Sequence, residues 1–223
     1  MQSLLVALDI DGTLIDTTQS FTRIVKELTG SSSDELSLFR ATGGFNDDWE
    51  LARALKAWMS AGRPDVAGLV DLDDLLARLD PCWDPGDMSP AGIALYRSGY
   101  WRDERVLVEG AVLRALAARH RVAACTGRDR WEMARAEELL GFTFTARTTM
   151  EDAKKPDAHA LLRLAQPDEV IVLLGDNAAD RMCAERARAT GRDVRFVHID
   201  ANTPARPVLE RLARTDDFSY LPC

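Results

Sequence analysis

The stretch LLVALDIDGTLIDT, residues 4–17, decides the reading of the fold. Five apolar residues, Leu4 to Leu8, form a run of the length of one buried strand, and the run ends in Asp9 and Asp11 with a single residue between them. If the chain stays extended across Asp9-Ile10-Asp11, the two carboxylates lie on one side with their α-carbons about 6–7 Å apart, because side chains alternate along a strand. Both acids can then face one substrate atom. Gly12 follows, supplying a free backbone N–H and permitting a tight turn that a bulkier residue would obstruct.

Similar apolar runs recur at RVAAC (121–125), EVIVLL (169–174) and VRFVHI (194–199), with FTFTA (142–146) as a less regular candidate. Helical patterns lie between them at 110–119, at 129–140 behind Asp129 as N-cap, at 157–165 behind Pro156, at 178–190 ending near Gly191, and at 207–214. From residue 106 onward helix and strand alternate, which predicts an α/β fold: a doubly wound, Rossmann-like parallel sheet covered by helices.

One interval breaks the rhythm. The segment between the first strand and RVAAC is far longer than the roughly 10–12 residues a crossover requires. It carries helical patterns at 18–28, 34–40, 47–60, 65–79 and 90–98, separated by Gly, Pro and Ser clusters. This predicts an inserted helical domain over residues 17–103, with residues 1–16 and 104–223 forming the α/β core. The acidic DLDD at 71–74 reads as a solvated helix face.

Composition narrows the partners. The 223 residues are 46% hydrophobic and 29% charged, ordinary for a globular protein, and the formal net charge of −8 argues against nucleic acid or an anionic membrane as partner. Any anionic substrate must then be met by local cations. No stretch approaches the roughly 18 apolar residues of a membrane span, and Met1-Gln2-Ser3 lacks the basic start of a secretory signal, which predicts a cytoplasmic protein. Cys82, Cys125, Cys183 and Cys223 contain no CxxC pair, and His120, His159 and His198 form no spaced cluster, so zinc is not expected.

Three apolar runs end in polar residues at the same end: Asp9, Thr126 and Asp176. Open parallel sheets bind ligands beyond the carboxyl ends of their strands, so the chemistry is expected there. Each residue alone has a plainer reading, with Asp176 as a helix cap, Thr126 as a turn residue and Lys155 as a surface charge. Together they require a coincidence at separate strand ends.

DIDGTLID, ACTGR, KKP and LLGDNAAD resemble, in this order, the four motifs of haloacid-dehalogenase-superfamily phosphatases, and the insertion after the first resembles the helical cap of the subgroup that includes phosphoglycolate phosphatase and beta-phosphoglucomutase. The resemblance implies Asp9 as a nucleophile that forms an aspartyl-phosphate and Asp11 as general acid and base. It further implies Mg2+ held by Asp9, Asp176 and the backbone carbonyl of Asp11; Asp180, four residues beyond Asp176, can face the same site either as a further ligand or as an acceptor behind the ligands. Thr126 and Gly127 would hydrogen-bond the phosphoryl group, and Lys155, which directly precedes proline, would neutralise charge in preference to Lys154. Gly12 and Arg128 are further substrate-binding candidates, with a salt bridge on the helix surface as the other reading of Arg128. In the cap, ATGGFNDDWEL (41–51) fits a specificity loop in which Gly43-Gly44 gives mobility and Phe45 and Asn46 reach inward, with Trp49 expected to pack within the cap. Trp101 and Arg102 lie at the return linker.

The implied activity is hydrolysis of a small phosphorylated metabolite. A sugar-phosphate mutase is the nearest alternative; a phospho-accepting or phosphometabolite-binding module without turnover is the alternative of a different class. Oligomeric state is not encoded in these patterns.

Overall fold

The computed structural model describes residues 3–41, 45, 47–79 and 83–215. The chain begins with β1 (Leu4–Leu8) and a short β2 (Ile15–Asp16), followed by helices α1 (Thr18–Thr29), α2 (Ser33–Arg40), α3 (Asp48–Ser60), α4 (Leu72–Arg78) and α5 (Ser89–Ser98). After a 3-10 turn at Tyr100–Asp103 come β3 (Arg105–Val106), α6 (Gly110–Ala117), β4 (Arg121–Cys125), α7 (Arg130–Leu140) and β5 (Ala146–Thr148). The remainder is α8 (His159–Leu162), β6 (Val170–Gly175), α9 (Ala178–Ala189), β7 (Val194–His198) and α10 (Ala205–Leu212). Contacts divide the chain into two units, residues 1–16 with 105–223 and residues 17–104.

The first unit is built on a parallel sheet in the order β5-β4-β1-β6-β7. Strand β1 lies in the middle, pairing Leu5–Leu8 with Arg121–Ala124 and Leu4–Leu8 with Val170–Leu174. Alternate side chains serve two cores: Leu4, Val6 and Leu8 pack with α6, α7 and α10, while Leu5 and Ala7 pack with α8 and α9. A strand covered on both faces must be apolar throughout, which is why LLVAL and VIVLL show no alternation.

Immediately after Asp9 the chain turns. The Ile10 carbonyl accepts hydrogen bonds from the N–H groups of Thr13, Leu14 and Ile15, and Gly12 N–H donates to Ile15 O at 2.8 Å. Gly12 sits at φ +70°, a conformation that costs a residue with a β-carbon about 1–2 kcal/mol. The turn delivers β2 into an antiparallel pair with β3, where Ile15 faces Val106 and Asp16 faces Arg105.

Three expectations need correction. The strand expected at 142–146 lies at Ala146–Thr148 instead, paired with Ala123–Cys125. Phe144 N–H is taken by Glu137 Oε1 at 2.9 Å, and Phe142 and Phe144 pack edge to face 4.9 Å apart, so this segment is bound to the end of α7 rather than to the sheet. The helix expected over 157–165 is only His159–Leu162, flanked by i to i+3 bonds such as Ala160 N–H to Asp157 O. The helix expected over 65–79 starts at Leu72, because Asp71 caps it by accepting from Asp74 N–H at 2.9 Å and Gly68 upstream adopts φ +68°. DLDD is therefore a helix N-terminus, where acids complement the positive end of the dipole.

The helical unit has its own core. Val25, Leu36, Phe39, Leu51, Leu55, Trp58 and Leu75 form its buried cluster, with Phe39 against Trp58 at 5.2 Å and Trp58 Nε1–H donating to Pro64 O at 2.7 Å. Ser32 and Glu35 form a capping box at α2, and Asp47 caps α3. Glu104, expected in the core, belongs here: its carboxylate is buried and accepts from Tyr96 Oη at 2.7 Å.

Candidate active site

Asp9, Thr126 and Asp176 follow β1, β4 and β6, adjacent parallel strands, so the sheet order brings them together at its carboxyl end. The ladder extends into the site, since Asp9 N–H donates to Leu174 O at 2.9 Å and Thr126 N–H to Thr148 O at 3.0 Å. A cavity of about 290 Å³ opens there, lined by Asp9, Asp11, Gly127 and Lys155. Met150, Lys154, Asn177 and Ala179 also line it; sequence reasoning missed Met150, Asn177 and Ala179 as wall residues and set Lys154 aside. Asn177 and Ala179 lie inside LLGDNAAD, which was the available signal, whereas Met150 lies in no motif.

Lys155 is the charge centre. Its buried ammonium lies 2.7 Å from Asp9 Oδ1 and also contacts Asp180 Oδ1. Burial pulls the ammonium down, but Asp9 and Asp180 outweigh it, so Lys155 lies above the ordinary lysine value. Asp9 is 2% exposed, and burial raises its carboxyl well above the carboxylate range, with Lys155 opposing and Asp180 and Asp11 reinforcing the rise. Lys154 is exposed at the cavity wall.

Asp180 has a second task. Its Oδ2 accepts from Asn177 N–H at 3.3 Å, while Asn177 Oδ1 accepts from the N–H groups of Ala179 and Asp180, a reciprocal box that starts α9. Asn177, not Asp176, is the cap, which frees Asp176 from the plainer reading of a capping residue. The Asp176 carboxyl is raised by burial and by Asp180, and Asn177 Nδ2 donates to it at 3.1 Å.

Carboxylate oxygens of Asp9, Asp176 and Asp180 lie within 4.8 Å of one another. Three acids converge while, among the described residues, Lys155 supplies the ammonium between two of them, a surplus of negative charge and hard oxygen ligands that fits a divalent cation. The approach depends on glycines. A β-carbon on Gly12 would lie 1.9 Å from Asp176 Oδ2, and one on Gly175 would lie 2.4 Å from Asp180 Cγ.

Asp11 and Arg128 form an ion pair. Arg128 Nε–H and Nη2–H donate to Asp11 Oδ1 at 2.9 and 2.6 Å, and Arg128 N–H donates to Thr126 Oγ1 at 3.1 Å. The buried Thr126 oxygen thus closes the turn that carries Arg128. Gly127 lines the cavity between these two residues.

The expected specificity loop fares differently. Phe45 is 7% exposed and packs against Phe39 at 5.4 Å in the core of the helical unit, so its inward direction serves packing rather than substrate contact. Asn46 and Gly43-Gly44 lie outside the described residues. Trp49 packs edge to face on Phe21, and Trp101 is buried with Arg102 over its ring.

The sequence profile of haloacid dehalogenase-like hydrolases matches residues 4–188. The chain belongs to this family. Among solved structures it is similar to phosphatase Tt82 from Thermococcus thioreducens, with 22% identity, a TM-score of 0.76, and coverage of 94% of this chain and 99% of that one. It is also similar to a protein from Thermotoga maritima assigned as a beta-phosphoglucomutase (18% identity, TM-score 0.52, 94% and 96% covered). A third is a protein from Bacillus subtilis assigned as a HAD hydrolase and bound to magnesium (13% identity, TM-score 0.55, 88% and 89% covered). No curated protein matches the sequence. These likenesses establish a haloacid dehalogenase-type fold with a Rossmann-like sheet, and the family makes the chain a hydrolase-family member with a buried aspartate cluster suited to a divalent metal. Among the described residues no helix is long and apolar enough to cross a membrane.

Proposed function

We propose that this protein is a magnesium-dependent phosphomonoester hydrolase that acts on a small phosphorylated metabolite through an aspartyl-phosphate on Asp9. One observation carries the reading: Asp9, buried and 2.7 Å from the Lys155 ammonium, lines the same cavity as Asp11 two residues on.

An Asp9 carboxylate oxygen attacks phosphorus and the bond from phosphorus to the substrate oxygen breaks. Asp11 gives a proton to the departing oxygen, and the resulting carboxylate then takes a proton from the water that hydrolyses the aspartyl-phosphate and regenerates Asp9. Lys155 lies against Asp9 and offsets its charge, while Thr126 O–H and Gly127 N–H would donate to a phosphoryl oxygen. Asp9, Asp176 and Asp180, with the Asp11 carbonyl, would hold Mg2+, which supplies positive charge to screen the phosphoryl oxygens from the attacking carboxylate. The helical unit would serve as a cap that excludes water and reads the substrate. Free thiols at Cys125 and Cys183 support a reducing, cytoplasmic setting.

The test is phosphate release from p-nitrophenyl phosphate and a panel of phosphorylated metabolites with Mg2+. Release is expected from the wild type and none from Asp9→Asn. Isomerisation of a sugar phosphate without release would make the protein a mutase, and no turnover of any ester would overturn the enzymatic reading.

A further inference from the structure

We propose that Arg128 is a positioning residue for Asp11, holding one carboxylate oxygen so that the other is presented to the departing oxygen of the substrate. The inference rests on the hydrolase reading above, and it replaces the expectation that Arg128 binds substrate directly.

The geometry is one-sided. Two guanidinium donors, Nε–H and an Nη2–H, converge on Asp11 Oδ1 instead of spanning the two carboxylate oxygens. Oδ2 has no hydrogen-bond partner among the described residues, and Asp11 lines the cavity. A carboxylic acid whose carbonyl oxygen already accepts two N–H bonds carries its proton on the other oxygen. The pair therefore selects the atom that delivers the proton: Oδ2–H breaks as the bond from hydrogen to the leaving oxygen forms, and the electron pair stays on Asp11.

Burial identifies which partner is fixed. The Arg128 side chain is 3% exposed and Asp11 39% exposed, so the cation is the anchored member and the acid the presented one. Arg128 is anchored through its backbone as well. Its N–H binds Thr126 Oγ1, its carbonyl accepts from Met150 N–H at 3.0 Å, and Nη1–H reaches Glu132 O at 3.4 Å. The next residue, Asp129, opens the capping box of α7, which makes this turn part of a helix start. A buried guanidinium stripped of its carboxylate is strongly disfavoured, which keeps the pair closed. Two of the five guanidinium N–H groups go to Asp11 and a third to the Glu132 carbonyl, so the side chain is tied to the acid and to α7. Asp11 needs such a guide because it stands on the turn that follows β1, outside the sheet ladder, where an unsupported side chain would divide its time among rotamers.

The test compares Arg128→Gln and Arg128→Lys with wild type on p-nitrophenyl phosphate, whose phenolate departs readily without a proton, and on glycerol 2-phosphate, whose alkoxide does not. We expect kcat/KM in Arg128→Gln to fall about 10–100-fold on the alkyl ester and less than about threefold on the aryl ester. This ratio reports the steps only as far as departure of the alcohol and so leaves out the Asp11-assisted hydrolysis common to both esters. Arg128→Lys, with one donor for Oδ1, should recover part of the alkyl-ester rate. In an Asp11→Asn background, Arg128→Gln should cause no further loss, since a residue that acts through Asp11 has nothing left to position. Equal losses of kcat/KM on both esters, or additive losses with Asp11→Asn, would overturn the inference while leaving the hydrolase reading intact. If thermal melting shows Arg128→Gln unfolded, the Arg128→Lys ratio of alkyl to aryl kcat/KM decides alone. A wild type inactive on every ester overturns both readings, whereas an active wild type with an inactive Asp9→Asn keeps the hydrolase reading whatever residue 128 does.

Discussion

Gly12 and Asp176 stand on loops after different strands, yet a β-carbon on residue 12 would lie 1.9 Å from Asp176 Oδ2. The glycine is needed twice, once for its φ of +70° and once for this approach.

Gly12→Ala should therefore lose about 1–2 kcal/mol from the backbone alone, and it should displace Asp176 in addition. Calorimetry is expected to show Mg2+ affinity reduced by an order of magnitude or more, as for loss of a ligand's placement. Undiminished affinity would mean that Asp176 lies outside the metal site.

Lys155→Met removes the ammonium shared by Asp9 and Asp180 and leaves two buried carboxylates facing each other. Breaking a buried pair in this way costs about 3–5 kcal/mol. Urea denaturation of the metal-free protein measures it, and Lys154→Met, at an exposed position, should shift the midpoint little.

Metal should stabilise the fold. At 100 times its dissociation constant a ligand that binds the folded state alone adds about 2.7 kcal/mol, so Mg2+ is expected to raise the melting temperature of the wild type. The rise should disappear in Asp176→Asn. A rise of equal size in that variant would place the cation elsewhere.

The acid limit of stability has a local contributor in Asp152. Its carboxylate accepts from the Thr149 N–H at 3.1 Å and the Thr149 hydroxyl at 3.0 Å, which hold its pKa down to about 2. The unfolded value is about 3.9, so this stability is complete above roughly pH 5 and is lost as pH falls through the folded value toward 2. After allowance for solvent screening it is on the order of 1 kcal/mol. Asp152→Asn should lower stability near neutrality and flatten the decline between pH 5 and 2 in a denaturation series.

Within the helical unit, a β-carbon on Gly92 would meet the Trp49 ring at 2.0 Å. Overpacking of this kind costs about 1–3 kcal/mol. Gly92→Ala should lower the melting temperature, and the double variant with Trp49→Leu should regain most of it.

Much of the site was legible because strands covered on both faces are written as unbroken apolar runs, and the polar residue that ends each run marks the carboxyl end of the sheet. That logic reached Asp9, Thr126 and Asp176, and the cap at Asp129 and the stop at Gly191 bounded their helices. It failed where a local pattern admitted two structures. FTFTA alternates like a strand, but Glu137 and the Phe142–Phe144 contact tie it to α7. Residues 65–79 carry helical spacing, but the Asp71 cap starts the helix at Leu72.

By itself the amino-acid sequence determined the apolar strands, the helix caps, the helical interruption and the acids at the strand ends, since all of these are encoded within a few neighbouring residues. Only the tertiary structure decided the partnerships. Arg128 finds Asp11, Lys155 sits with Asp9 and Asp180, and Asp176 reaches the hollow left by Gly12, because the order β5-β4-β1-β6-β7 sets distant loops side by side. Phe45 turned into the helical core for the same reason: which surface an aromatic ring covers depends on what the rest of the chain brings to it, and no window of sequence around the ring contains that information.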